Sequence, residues 1–298
     1  MFGPTPAWIL PSVFLACLLS ACTPPDTRSF IHGGQHRTYR LHLPPHADSQ
    51  VPLVLVMHGY GGDGLGMESG MGWVQLANES GFAVCFPDGT MDSLGRRFWN
   101  VGYAMHAELD VDDSEFLVNL ARHLQTEHHL DPGATFAAGF SNGADMSYLL
   151  GCTAPDVFPA IGPVAGTMMD SVYFQLKPDL PCSVIAFNGT DDEITRFRGD
   201  PDNIDGWGAY RSVPEVIDFW VKANHLTEFD QVTLGDSSTS EKSGVELDRY
   251  WAVGQPAAVN FYRITGGGHD WPLPTKTCPI DATRLIWDFF SSHRSEPE

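Results

Sequence analysis

The 298-residue chain is poor in positive charge: 17 Lys and Arg stand against 37 Asp and Glu, for a formal net charge of −20. That balance excludes nucleic acid as a partner, because phosphate binding needs a basic face. It equally disfavours anionic membranes and polyanionic substrates. Neutral ligands, small or polymeric, suit it. Long hydrophobic runs are also scarce. The one that stands out, Trp8 to Leu19, is too short to span a bilayer as a mature helix. Twelve His residues include no H-E-x-x-H or similar metal spacing, so no metal and no cofactor is implied. There is no internal repeat and no extended low-complexity tract. With 43% hydrophobic residues, 30 Gly and 22 Pro, the chain suffices for one domain around one large core.

The run from Trp8 reads as an export signal, although no Lys or Arg precedes it. It ends in Leu19-Ser20-Ala21-Cys22, which resembles the lipobox of bacterial lipoproteins and would make Cys22 a lipidated anchor. Plain secretion is the alternative; any membrane contact would come through the lipid. Residues 1–22 are therefore a signal peptide with lipobox, 23–36 a short polar tether, 37–293 a single catalytic domain and 294–298 a polar tail. The stretch 235–244, polar and turn-rich, reads as a surface loop inside that domain.

Two kinds of strand pattern appear. Arg37 to Leu43 alternates polar and apolar residues, as an edge or antiparallel strand with one wet face does. Pro52 to His58, Phe82 to Phe86, Thr135 to Phe140 and Ser183 to Asn188 are nearly continuous apolar runs, which parallel strands covered on both faces require. A helical stretch from Asp113 to His129, with Phe116, Leu117, Leu120 and Leu124 on one side and Asp112 as cap, lies between such strands. The alternation predicts a mostly parallel, doubly wound α/β sheet with helices on both faces and its ligand site at the carboxyl ends of the strands.

The chemistry-bearing motifs fall where that fold wants them. Gly139-Phe140-Ser141-Asn142-Gly143 matches G-x-S-x-G between an apolar strand and a potential helix. The glycines permit a turn sharp enough to lift the serine hydroxyl off the sheet above a helix N-terminus. Serine is a weak nucleophile, so Ser141 needs a base and oxyanion donors elsewhere in the chain. The strand Ala257 to Ile264 runs into a Gly-rich loop carrying His269, the best placed of the histidines for that base. The acid should fall between them in chain order. Asn188-Gly189-Thr190-Asp191-Asp192-Glu193 follows a strand and offers Asp191 or Asp192, between which spacing does not choose. His58-Gly59-Tyr60-Gly61-Gly62 follows another strand; the backbone N–H of Tyr60, with that of Asn142, is assigned to an oxyanion hole, and His58 to structure. Cys152, after the nucleophile helix, and Cys182, opening the next strand, are expected to form a disulfide, while Cys85 reads as a small core side chain.

Taken together, these segments resemble the polyhydroxybutyrate depolymerase and feruloyl esterase family of secreted α/β-hydrolases, with its acetylxylan esterase relatives. The resemblance runs from about Tyr39 to Phe290. It includes HGYGG at 58–62, FPDG at 86–89, Phe98-Trp99-Asn100, Val111-Asp112-Asp113, the serine segment, Pro163-Val164-Ala165-Gly166 and GGGHDWP at 266–272. It implies a serine esterase working through an acyl-enzyme, and an acid at Asp192. The chain departs from the family at Asn188, where His is usual, at Ala144 and Asp145, where Gly and an apolar residue are common, and at Asp270, where Thr is common. Trp99 and Trp271, with Trp207, are candidates for an aromatic cleft wall. The competing readings are a serine peptidase on the same fold and a non-catalytic polymer-binding surface lipoprotein.

Overall fold

The computed structural model describes residues 26–45, 50–234, 244–275 and 278–294, with Gly3 alone before them; the signal segment with Cys22, and most of the 235–244 stretch, lie outside the described residues. The strands, in chain order, are β1 (Thr27–His32), β2 (Gln35–His42), β3 (Leu53–Met57), β4 (Ala83–Pro87), β5 (Thr90–Met91), β6 (Arg97–Phe98), β7 (Thr135–Phe140), β8 (Ala160–Val164), β9 (Ser183–Gly189), β10 (Glu228–Leu234), β11 (Val245–Trp251) and β12 (Val259–Ile264). Seven α-helices accompany them: α1 (Gly64–Gly70), α2 (Trp73–Ser80), α3 (Asp113–His128), α4 (Asn142–Thr153), α5 (Asp170–Gln175), α6 (Val213–Ala223) and α7 (Ala282–Ser291).

Ten strands form one sheet in the order β1-β2-β4-β3-β7-β8-β9-β12-β11-β10, and β5 pairs with β6 in a separate small hairpin. From β4 to β12 the pairs are parallel; the outer pairs on both sides are antiparallel. The continuous apolar runs are the parallel strands, fully buried along β3, β4, β8 and β9. Their side chains alternate between two cores. Leu53, Leu55 and Met57 face α3, α4 and α6, through residues such as Leu120, Met146 and Trp220. Val54 and Val56 join Trp73 of α2 with Ile286 and Phe290 of α7 on the other face. Helices on both faces of a parallel centre are what the alternation predicted.

The alternating strand is β2, but it is not at the edge. β1 lies outside it, within the stretch read as a tether, because its backbone pairs antiparallel with β2 while several of its side chains stay in solvent. Asp112 caps α3 as expected, accepting from the Glu115 N–H at 2.8 Å, and His129 ends the helix in a left-handed conformation. Cys85 is fully buried in β4. The expected Cys152–Cys182 disulfide is not formed. Both are free thiols; Cys182 Sγ is turned to the Phe158 carbonyl at 3.4 Å, and burial pushes the Cys152 thiol up to about 12. Among the described residues, no helix is long and apolar enough to cross a membrane.

A buried ion pair ties β2 to α3. Arg37 donates to Asp113 Oδ1 at 2.7 Å while its guanidinium lies 3.8 Å from the centre of the Phe116 ring, and Asp113 also accepts from Thr90 Oγ1 and the Asn100 N–H. Removing one partner leaves the other charge buried and uncompensated, which costs far more than an exposed pair. Asp113→Ala is therefore expected to lower unfolding free energy by about 3–5 kcal/mol, measured by urea denaturation; a loss below about 1 kcal/mol would show that Arg37 finds water instead.

Candidate active site

Five strand ends supply the site. β7 ends in Phe140 and passes through Ser141 into α4, and Ser141 has φ 55° and ψ −120°, a conformation L-residues rarely adopt. The flanking glycines explain how the turn closes. A Cβ on Gly139 would lie 2.2 Å from the Gly143 carbonyl oxygen, and one on Gly143 would lie 2.4 Å from that of Met57. The Ser141 N–H donates to the Val164 carbonyl of β8, and its own carbonyl accepts from Ala144 and Asp145. These bonds hold the hydroxyl-bearing residue directly above the N-terminus of α4, where unpaired N–H groups and the helix dipole favour negative charge.

The candidate acid and base follow β9 and β12, which are adjacent and parallel. His269 Nδ1 and Asp192 Oδ2 are 2.8 Å apart, and Asp192 Oδ1 accepts from the N–H groups of Ile194 and Thr195, both at 2.8 Å. Asp191 is exposed and its carboxylate accepts instead from Thr190 Oγ1, so of the two candidates Asp192 meets the imidazole. His269 reaches the nucleophile turn through its ring, whose centre is 4.9 Å from that of Phe140. Among the described residues no hydrogen bond joins Ser141 Oγ to His269; such bonds are often long before a substrate is bound.

The loop after β3 covers the serine. A Cβ on Gly59 would be 3.2 Å from Ser141 Cβ. Nε2 of His58 accepts from the Gly89 N–H at 2.9 Å, which leaves the proton on Nδ1 to donate to the Gly59 carbonyl at 2.7 Å. With burial lowering its pKa, His58 is a neutral strut. Tyr60 lines the cavity beside Ser141, and its hydroxyl donates to Asp92 in the β5–β6 hairpin at 2.6 Å. Asn142, at the start of α4, turns its side chain away from the cavity to bracket Trp99, accepting from its N–H at 2.7 Å and donating to its carbonyl at 3.0 Å.

Trp99 and Trp271 are not cleft walls. Trp99 is fully buried under the β3 loop, donating from Nε1 to the His58 carbonyl; Trp271 packs edge-on against Trp73 and donates to Thr283. Both indoles find polar partners inside, so core packing suits them. Trp207 does line the cavity, together with Tyr60, Tyr103, Thr167, Thr195 and Tyr210, around a small open space that reaches Ser141. Asp145 lies in the same wall, one helical turn after Ser141. That i+4 spacing on an otherwise apolar helix face was the available signal for it.

Burial pushes the Asp145 carboxyl up to about 7, against hydrogen bonds from the Tyr103 hydroxyl at 2.6 Å and the Thr167 N–H at 2.7 Å that favour its charged form. Burial, with Asp145 beside it, also raises the Tyr103 phenol, which stays a donor.

These features define the α/β-hydrolase fold. Residues 37–177 match the family model described as Esterase PHB depolymerase, and the resemblance to polyhydroxybutyrate depolymerases and feruloyl esterases holds along the chain. The chain is 30% identical over 231 residues to the feruloyl esterase B of Piromyces equi, covering 74% of this chain and 40% of that protein. It is also 30% identical over 267 residues to the poly(3-hydroxybutyrate) depolymerase of Ralstonia pickettii, covering 80% of this chain and 52% of that one. The chain thus spans about half the length of these two relatives. Among solved structures, the acetyl xylan esterase from Aspergillus awamori superposes with a TM-score of 0.58 at 15% identity, covering 86% of this chain and 94% of that one, which speaks for the fold.

Two outcomes follow from the geometry. Because only glycine adopts the Ser141 conformation without strain, Ser141→Gly is expected to exceed Ser141→Ala in stability by about 1 kcal/mol in thermal unfolding; equal midpoints would argue against strain at the turn. For Asp145, the folded state holds the proton more tightly than the unfolded chain. The stability linked to it is therefore complete below about pH 4 and is lost as pH rises through about 7. Urea midpoints should fall across that window in the wild type, and Asp145→Asn should remove that part of the slope.

Proposed function

We propose that this chain is a serine carboxylic-ester hydrolase acting by an acyl-enzyme mechanism on neutral esters, small or polymeric, of the polyhydroxybutyrate depolymerase or feruloyl and acetylxylan esterase kind. One observation carries the reading: a serine on a strained turn facing a cavity, with a histidine on the neighbouring Phe140 ring whose Nδ1 is held by a buried carboxylate at 2.8 Å. Named relatives act as ester hydrolases, which supports the class.

In this mechanism His269 Nε2 takes the Ser141 proton as Oγ attacks the ester carbonyl. Asp192 holds the proton on Nδ1, leaving Nε2 free as base, and stabilises the imidazolium that forms. The backbone N–H groups of Tyr60 and Asn142 receive the tetrahedral oxyanion, helped by the α4 dipole. The alcohol leaves with the proton from His269. Water, deprotonated by the same imidazole, then releases the acid. In the same proposal residues 1–22 direct export, with Cys22 as lipid anchor or, alternatively, with free secretion.

The test is hydrolysis of short-chain p-nitrophenyl esters by the mature protein. Ser141→Ala and His269→Ala, shown to be folded by circular dichroism, are each expected to lower kcat by at least about 10³-fold, and Asp192→Asn by about 10³- to 10⁴-fold. Feruloyl, acetylxylan and polyhydroxybutyrate substrates would then rank the subfamilies. A folded wild type inert toward every ester and toward an active-serine phosphonate would sink this reading.

A further inference from the structure

The cavity beside Ser141 carries an ionisable group that the acyl-transfer mechanism does not use. Asp145 is 5% exposed, sits in the cavity wall, and has both carboxylate oxygens held: Oδ2 by Tyr103 and Oδ1 by the Thr167 N–H. The loop after β8 is shaped around it. A Cβ on Gly166 would come within 2.8 Å of Asp145 Oδ1, and the Gly166 carbonyl is itself held by Asn188 Nδ2 at 3.0 Å. Asn188 and Asp145 thus meet across one loop.

We propose that Asp145 is a charge filter for the substrate: as a carboxylate it turns away esters whose cavity-bound portion is anionic, and admits neutral ones. This inference rests on the ester-hydrolase reading and names which esters that site selects. The physical reason is the placement of a like charge in a buried wall, where juxtaposed charges of one sign repel with little solvent screening. A shell of two donors supports the ionised form without cancelling its charge, and burial keeps titration near neutrality rather than at the usual carboxylate value. The titratable groups facing it are Tyr103, Tyr148 and, further off, His269 and Asp192. The two phenols stay neutral in the range of interest, and both members of a substrate pair need the same free base at His269, so that requirement cancels in a ratio of the two.

The experiment compares two matched pairs of substrates. In one the charge is on the acyl side, mono-p-nitrophenyl adipate against p-nitrophenyl hexanoate. In the other it is on the alcohol side, 4-acetoxybenzoate against its methyl ester. For each pair the anionic-to-neutral ratio of kcat/KM is measured from pH 5.5 to 8.5 in wild type and Asp145→Asn, at fixed high salt to suppress the overall field of a −20 protein. The substrate carboxylates are ionised throughout. In the wild type the ratio for at least one pair is expected to fall about tenfold or more as pH rises, and in Asp145→Asn to be flat and at least about tenfold higher at pH 8. Asn can still accept the Thr167 N–H through its oxygen and meet Tyr103 through its NH2 group, with the direction of that second bond reversed. If the variant does not fold, the wild-type profile alone decides. Neutral esters hydrolysed with ratios that do not vary with pH in either pair would overturn the filter and leave the esterase standing. No ester hydrolysed at all would overturn both.

Discussion

Every part of the site is referred to one close contact, the packing of backbone on backbone at the nucleophile turn. Gly139 and Gly143 touch carbonyls of the turn and of β3 with no room for a side chain, which forces Ser141 to the positive φ that lifts it from the sheet. Since Gly143 packs against Met57 and His58 at the end of β3, the nucleophile and the loop bearing Tyr60 are fixed relative to each other by main chain. The Ser141 N–H bond to Val164 does the same for β8, whose following loop carries Thr167. Three strand ends are thereby locked at one point, and β9 and β12 add Asp192 and His269 through their own parallel pairing.

Within this frame two buried carboxylates lie near one serine in different surroundings. Asp192 accepts two backbone N–H bonds and faces an imidazole. Asp145 accepts one N–H and one phenol in a wall of aromatic rings, and burial wins there. The two surroundings differ in donor number and partner charge, while both residues are 5% exposed. One carboxylate holds the His269 imidazole, while the other lies in the cavity wall, where burial raises it to about 7.

Much of this was legible in the sequence where a pattern has a single physical cause. Unbroken apolar runs mark strands covered on both faces; β3 and β7 lie within the predicted ones, and β4 and β9 each run one residue past theirs. Glycines at the turn, and a histidine and an aspartate just beyond strand tips, follow from where the fold puts its loops. What the chain pattern left open depends on direction in space. Asp191 and Asp192 point to opposite sides of one turn, and only the partner's position separates them. An indole serves a core as readily as a cleft, so Trp99 and Trp271 carried no signal of the internal carbonyl and hydroxyl that hold them. β1 is polar because much of it faces solvent, and its membership of the sheet lies in backbone pairing that composition does not record. Cys152 and Cys182 are near in the fold, but a thiol turned to a carbonyl is a matter of rotamer rather than of spacing.

The remaining cavity wall shows how such a site can change what it selects without disturbing its reaction. Tyr60 is braced from outside by Asp92, and Asp92 by its own turn, accepting the N–H groups of Leu94 and Arg96. Tyr210 accepts from the Arg196 N–H, and Thr167 donates to the Arg211 carbonyl. These three lining groups, Tyr60, Tyr210 and Thr167, are thus held by loop partners outside the Ser141, His269 and Asp192 contacts. A wall built this way separates two demands: the triad geometry depends on main-chain contacts at strand ends, while the wall's polarity depends on side chains anchored further out. Substitutions at Asp145 and Asn188 fall in the second group. They can alter the charge of the wall while Gly139, Gly143 and the β9–β12 pairing keep Ser141, His269 and Asp192 in register.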